Sequence, residues 1–228
     1  ITTVREIGIN ILTGHAVTAA HGLRHIASVD IAKYDSGKQA PISSILHMDC
    51  NLLAMSGGLN PVVHLHSQRK GKLVWDERTS CYRPDNKSDE WFSVGAANGT
   101  FELERIFIEA TKIASTTIMK LAKENNKIKT KEPVTVPQIE KDKQNWTLLP
   151  TWLIQTGQPH VSDKTAFVDF QNDSTAADIK LAVREGYSSV EHVKRYTTTG
   201  MATDQGKTSN INAIGILASS LNLSLIHI

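Results

Sequence analysis

The chain has 228 residues, 40% of them apolar and 21% charged, with 25 basic and 23 acidic side chains. That length carries one large domain or two modest ones around a buried core, and a formal charge of +2 gives no bulk pull toward nucleic acid or an anionic membrane. No apolar run approaches the roughly 20 residues that span a bilayer. Two cysteines, Cys50 and Cys81, are too few for a disulfide framework or an all-cysteine zinc or iron–sulfur site, and they fit a reducing compartment.

Both ends read as internal to a longer protein. Ile1 opens the chain without a leader pattern. Residues 223–228 resemble a translated sequencing-library adapter and are expected to be a non-native tail, with the natural sequence stopping near Asn222. Sequons at Asn86, Asn98, Asn145 and Asn172 match the glycosylation pattern, but without an export signal they are expected to be chance.

In chain order, Ile7–Leu12, Ala16–Ala20 and Ile26–Ala32 are expected as short strands, broken at Gly14, Gly22 and Gly37. The apolar run Cys50–Met55 reads as a buried strand emptying into the turn Ser56-Gly57-Gly58-Leu59-Asn60-Pro61, the kind of strand end beside which ligands sit in α/β sheets. Leu73–Trp75 is a further strand candidate. Phe92–Val94 leads as a strand into Gly95-Ala96-Ala97-Asn98-Gly99, and a helix follows with Leu103, Ile106, Phe107, Ala110, Ile113, Ala114, Ile118 and Leu121 along one face. Small residues at that junction let backbone N–H groups approach a ligand, and a helix N-terminus favours phosphate. Spacing alone does not separate this from a tight turn without a ligand, because neither segment completes a G-x-G-x-x-G.

Residues 123–147 are rich in lysine, carry Pro133 and Pro137 and lack interleaved aromatics, which predicts a linker or surface excursion rather than a nucleic-acid patch. Trp146 and Trp152 are expected to anchor its exit. Ala166–Phe170 is expected as a strand. Thr175–Asp178 is expected as a capping-box helix start, ended by Gly186, and Ser188–Glu191 as a second capping box. A third helix is expected from Ser209, after the polar loop Tyr196–Lys207. The boundaries expected are 1–122 for the nucleotide-binding part, 123–160 for the linker and 161–222 for a small helical domain.

Most chemistry-bearing motifs fail on inspection. Gly200–Thr208 has five residues between its glycines where a P-loop needs four, and a helix rather than a strand precedes it. Lys207 with nearby backbone donors remains able to hold a phosphate. His64-x-His66 lacks a third ligand and reads as structural or solvent-facing. Asp49-Cys50 reads as a core thiol beside a carboxylate. There is no G-x-S-x-G elbow and no H-E-x-x-H. The residues by themselves give an α/β nucleotide-binding piece joined to a small helical module.

The segment 166–218 carries a more specific signal. Val168–Asp173, Thr175–Asp178, Arg184–Gly186, Ser189–His192, Lys194–Thr198 and Gly200–Asn210 resemble the α-subunit family of heterotetrameric sarcosine oxidases, as do Ser56–Leu65 and Gly95–Gly99 upstream. The resemblance implies an α/β fold of the flavoprotein and disulfide-reductase type with two dinucleotide-binding domains. It implies next a small helical domain similar to a cysteine-less bacterioferritin-associated-ferredoxin-like module. It further implies an enzyme that oxidises sarcosine to glycine, reduces oxygen to hydrogen peroxide and passes the one-carbon unit to tetrahydrofolate.

Implied cofactors are NAD on this subunit, FMN at the α/β interface, and FAD in the complete enzyme. Implied partners are the β, γ and δ subunits, and the implied location is cytoplasmic. Within this chain Ser56, Gly57, Gly58, Gly95, Ala96, Ala97, Asn98 and Gly99 would line the NAD site, and Arg195 and Lys207 would meet the FMN phosphate. No residue here is expected to be catalytic and none to bind metal. Asp169, Gln171, Asp204 and Ser209 stand where related modules carry four cysteines, so no iron–sulfur cluster is expected. The rival reading is a non-catalytic assembly subunit of a related amine dehydrogenase, whose nucleotide fold has lost its ligand.

Overall fold

A computed structural model describes residues 2–35, 40–88, 90–125, 136, 150–154 and 163–228. Most of the lysine-rich stretch, Trp146 included, lies outside the described residues. Two compact units emerge, one formed by Ile1–Met55 with Pro150–Ile228 and the other by Ser56–Leu149. These divisions fall elsewhere than the expected 122/123 and 160/161. Within the first unit a tertiary contact joins its two stretches, the Tyr34 hydroxyl donating to the Leu153 carbonyl at 3.4 Å.

The first unit opens with α1 (Thr2–Glu6). The expected strand at Ile7–Leu12 is absent, because Gly8, at φ +82°, ends this helix by donating to the Arg5 carbonyl at 3.0 Å. The strands are β1 (His15–His21), β2 (Ser28–Asp35), the two-residue β3 (Ala40–Pro41) and β4 (Leu46–Asp49). All pairings are antiparallel, with β2 central between β1 and β4. Gly22 is required in the β1–β2 connection: a Cβ there would lie 2.0 Å from the His25 carbonyl oxygen.

Cys50–Met55, expected as a strand, joins no ladder. The β2–β4 register ends at Ser28↔Asp49, and one last bond from Cys50 N to Ala27 O follows. Beyond it the apolar residues have no neighbouring strand to pair with.

In the second unit α2 (His64–Gln68) precedes the hairpin of β5 (Leu73–Asp76) and β6 (Cys81–Pro84), which confirms the expected strand at Leu73. Trp75 and Tyr82 pair edge-on across it, their rings 5.0 Å apart. Phe92–Val94 joins no ladder, and Gly95–Asn98 forms a 3₁₀ turn. α3 (Leu103–Glu124) follows as the apolar period predicts.

The chain then returns to the first unit. β7 (Phe167–Asp169) and β8 (Ser174–Thr175) make a small antiparallel pair. α4 (Ala176–Arg184) starts on the expected capping box, with Thr175 and Asp178 exchanging side-chain-to-backbone bonds. α5 (Val190–Thr197) has Ser189 at its N-cap but no side-chain cap bond, so the second expected box is not made. α6 (Asn210–Ser220) completes the module. Val168, Ala176, Ile179, Ala182, Val193, Ile216 and Leu217 form its core. Trp152 packs over Gly215 of α6, where any Cβ would sit 2.3 Å from the indole, so Trp152 anchors its segment as the sequence suggests. The terminal Ile228 also packs against this core.

The architecture is therefore α/β, and among the described residues every strand pair is antiparallel. No helix among them is long and apolar enough to cross a membrane.

Candidate functional site

The glycine-rich segments of the second unit behave in opposite ways. Ser56, Gly57 and Gly58 are exposed, and nothing lies within 4 Å of a Cβ built on either glycine. Pro61, at the far end of that segment, is buried against Gly99, 3.7 Å from the place its Cβ would occupy. The Gly95–Gly99 turn is held from inside. Glu109, two turns into α3, accepts the Gly95 amide at 2.8 Å through Oε2, and Asn98 Nδ2 donates to its Oε1. Asn86 Nδ2 donates to Asn98 Oδ1 at 2.6 Å and closes the network.

A diphosphate at this turn would need donors that Glu109 has already engaged, beside a second negative charge. At the mouth of α3, Glu102 is paired with Arg105 at 2.7 Å and Glu104 lies in the first turn. Gly95 therefore does not fit the expected diphosphate contact. The backbone at Ser56–Gly58 is open, and Ala96 is exposed on the turn. Glu109 was legible only as an oddity, a carboxylate on the same helix face as Ile106 and Ile113. Such a group must find donors when the face is covered.

His66 is buried in α2, donating from Nε2 to the Lys72 carbonyl at 3.0 Å, while His64 is exposed. The two imidazoles do not converge, in keeping with a structural role. In the hairpin beside them, burial pushes the Cys81 thiol above its ordinary pKa, against the hydrogen bond from Thr79.

In the helical module of the first unit, the four positions expected to lack cluster ligands belong to a hydrogen-bonded loop system. Asp169 is 2% exposed. Its Oδ1 accepts from the amides of Gln171 at 2.9 Å and Asn172 at 3.1 Å, and its Oδ2 from the Gly200 amide at 2.7 Å and the Ser209 hydroxyl at 3.4 Å. Gln171 Oε1 accepts from the Thr203 amide and hydroxyl. Asp204 accepts from the Thr208 hydroxyl at 2.7 Å and from the amides of Gly206 and Thr208, which holds its carboxyl below the usual value.

These bonds draw part of the polar loop Tyr196–Lys207 inward. Thr197 and Thr199 are buried and share a hydrogen bond of 2.8 Å, while Thr203 and Thr208 are occupied by Gln171 and Asp204. Gly200 and Gly206 are buried against Asn210, whose Oδ1 would lie 2.1 Å from a Cβ at either. The loop leaves Thr198, Met201, Thr203, Gln205, Lys207 and Thr208 exposed, and Arg195 is exposed on α5. Arg195 and Lys207 are therefore accessible, as are Lys164, Lys180 and Arg184 elsewhere on this module.

Comparison with known proteins places these features. The family model described as Sarcosine oxidase A3 domain matches residues 163–227, which is the helical module with its Asp169 loop. Sarcosine oxidase subunit alpha of Corynebacterium sp. strain P-1 is 33% identical over 220 residues, covering 95% of this chain and 22% of that protein. The subunit of Corynebacterium sp. strain U-96 is 36% identical over 221 residues with the same coverages. That of Rhizobium meliloti strain 1021 is 41% identical over 172 residues, 75% of this chain and 16% of that protein. The crystal structure of L-proline dehydrogenase from P. horikoshii superposes with a TM-score of 0.59 over 93% of this chain and 40% of that one, at 16% identity, a likeness of fold. The chain thus spans about a fifth of the length of its Corynebacterium relatives. By sequence, residues 163–227 belong to the sarcosine oxidase A3 domain family, and the chain as a whole is similar to a segment of sarcosine oxidase subunit alpha.

Proposed function

We propose that this chain is part of the α subunit of a flavin-dependent oxidoreductase acting on the CH–NH group of sarcosine. In the complete enzyme oxygen is the electron acceptor, hydrogen peroxide the product and tetrahydrofolate the one-carbon acceptor. The observation that carries the reading is identity of 33–41% to three such subunits over most of this chain. Partner β, γ and δ subunits and a cytoplasmic location belong to the same proposal. This segment has a supporting role in nucleotide binding and at a subunit and flavin interface, not in amine oxidation.

For FMN the exposed Arg195 and Lys207 fit a phosphate, which both recognise by charge and Arg195 in bidentate fashion. For NAD, the exposed Ser56–Gly58 backbone and the Ala96–Ala97 surface fit the wall of a dinucleotide site, whereas the Gly95 amide does not. FAD and tetrahydrofolate are assigned to the complete enzyme rather than to residues named here. When bound, the flavins supply the redox chemistry; the residues of this chain bind and orient.

One observation favours a second reading, an assembly subunit whose nucleotide fold has lost its ligand: Glu109 occupies the anion-accepting side of the Gly95 turn. The discriminating experiment is co-expression of the full α subunit with its β, γ and δ partners. Sarcosine-dependent peroxide formation with about one NAD per heterotetramer supports the first reading. Turnover without NAD confines the loss to the nucleotide site, and assembly without turnover supports the second reading. In the same complex, Arg195→Ala combined with Lys207→Ala is expected to lower FMN content. Unchanged FMN, assembly and turnover would remove the interface role.

A further inference from the structure

On the sheet of the first unit, register brings together side chains that are distant in sequence. The β1–β2 pairing sets Ala19 opposite Asp30 and His21 opposite Ser28, and the β2–β4 pairing sets Asp30 opposite His47 and Ser28 opposite Asp49. Directly paired residues, and residues two apart on one strand, share a face. His21, Asp30, His47 and Asp49 therefore lie on one face of three adjacent strands. The side chains converge: His21 Nε2 lies 2.9 Å from Asp30 Oδ2, and His47 Nδ1 lies 2.8 Å from Asp30 Oδ1. All three ligand atoms fall within 4.8 Å of one another.

We propose that His21, Asp30 and His47 bind a single divalent transition cation of the zinc class. Two imidazoles and one carboxylate suit zinc and its borderline neighbours, whereas calcium and magnesium take oxygen ligands. Ligand atoms held about 2.0–2.2 Å from zinc stand about 3–3.5 Å apart. The two imidazole–carboxylate separations need open by only a few tenths of an ångström to admit the ion. Three protein ligands leave a fourth position for water.

The surroundings suit the task. Asp30 sits on the central strand with its side chain 10% exposed, so packing fixes its carboxylate, while the imidazoles of His21 and His47, 45% and 58% exposed, leave a route from solvent. Asp49 Oδ1 lies 3.8 Å from His47 Nε2, the nitrogen turned away from the ion. Binding requires each ligating nitrogen to present its lone pair. His47 then carries its proton on Nε2, on the side where the exposed Asp49 carboxylate lies.

The test separates metal binding from a cross-strand hydrogen-bond role. His21→Gln and His47→Asn each keep an amide N–H near the nitrogen facing Asp30 but remove the imidazole lone pair. Zinc uptake by the purified chain is measured by equilibrium dialysis against Zn²⁺, with circular dichroism confirming the fold of each variant. Expected are one equivalent in the unmodified chain and at least about tenfold weaker uptake in each variant, as loss of a metal-supporting group produces. Co²⁺ in place of zinc is expected to show d–d absorption without a thiolate charge-transfer band. No uptake by the unmodified chain, equal uptake by both variants, or a thiolate band implicating Cys50 or Cys81 would each overturn the site.

Discussion

Glu109 reaches back from the second turn of α3 to accept the amide proton of Gly95 at 2.8 Å, so the turn that enters the helix is tied to the helix it precedes. The same carboxylate accepts from Asn98, which brings both ends of the Gly95–Asn98 turn under one side chain. Hydrogen bonds to a charged acceptor contribute about 1.5–3 kcal/mol each, and a buried amide left unpaired costs a similar amount. Glu109→Ala is accordingly expected to lower unfolding stability by about 2–3 kcal/mol in urea denaturation. A loss below about 0.5 kcal/mol, the ordinary range of surface substitutions, would show that solvent replaces the carboxylate without penalty.

Asp169 is the corresponding anchor of the helical module. Asp169→Asn puts an amide NH₂ among four donors and is expected to cost about 1–3 kcal/mol and to loosen Gly200 and Ser209 together. Hydrogen exchange at the Gly200 amide reads this directly, and unaltered protection would refute the anchoring role. At Asp169, Gln171, Asp204 and Ser209 no thiolate is available to an iron–sulfur cluster. The purified complete subunit is expected to contain no acid-labile sulfide attributable to this module.

The Asp204 carboxyl is held below its ordinary value of 3.8, first by the Thr208 hydroxyl and then by the amides of Gly206 and Thr208, with a smaller contribution from Lys207. A carboxyl depressed on folding adds stability above its unfolded value, and that stability is lost as pH falls through the lower folded value. The 204–208 turn is therefore expected to stay ordered through the ordinary aspartate range and to open only at more acid pH. Chemical shifts of Thr208 followed by pH titration report the midpoint. A midpoint at or above 3.8 contradicts the hydrogen bonds described.

Cys81 is 1% exposed in the β5–β6 hairpin, and burial raises its thiol pKa. Thiolate is the reactive form. Cys50, partly exposed beside β4, is expected to react with an aromatic disulfide in the folded chain, while Cys81 reacts only after unfolding. Two equal fast phases under native conditions would place Cys81 outside the core.

Much of the local structure was legible because its causes are local. The apolar period of Leu103–Leu121 specifies α3, Thr175 and Asp178 specify the start of α4, and the helix stops where Gly186 takes φ +93°. Each rests on groups within a few residues of one another, so spacing in the chain stands for distance in space. The identity of the helical module was legible for a different reason: its loop motif is long and unusual.

What the sequence left open was decided by pairing. Cys50–Met55 has the composition of a strand, yet it lies past the last rung that β2 offers to β4, and no property of the run itself records that. The loop threonines have the composition of a polar surface, but only Thr198, Thr203 and Thr208 stay exposed, while Thr197 and Thr199 are buried. Glu109 finds Gly95 fourteen residues back, and His21, Asp30 and His47 meet only through the registers of two strand pairs. Sequence by itself determined which segments coil and cap, since those bonds close within a turn or two. Tertiary structure decided which carboxylates receive donors and which imidazoles converge, since those depend on where one strand begins against another.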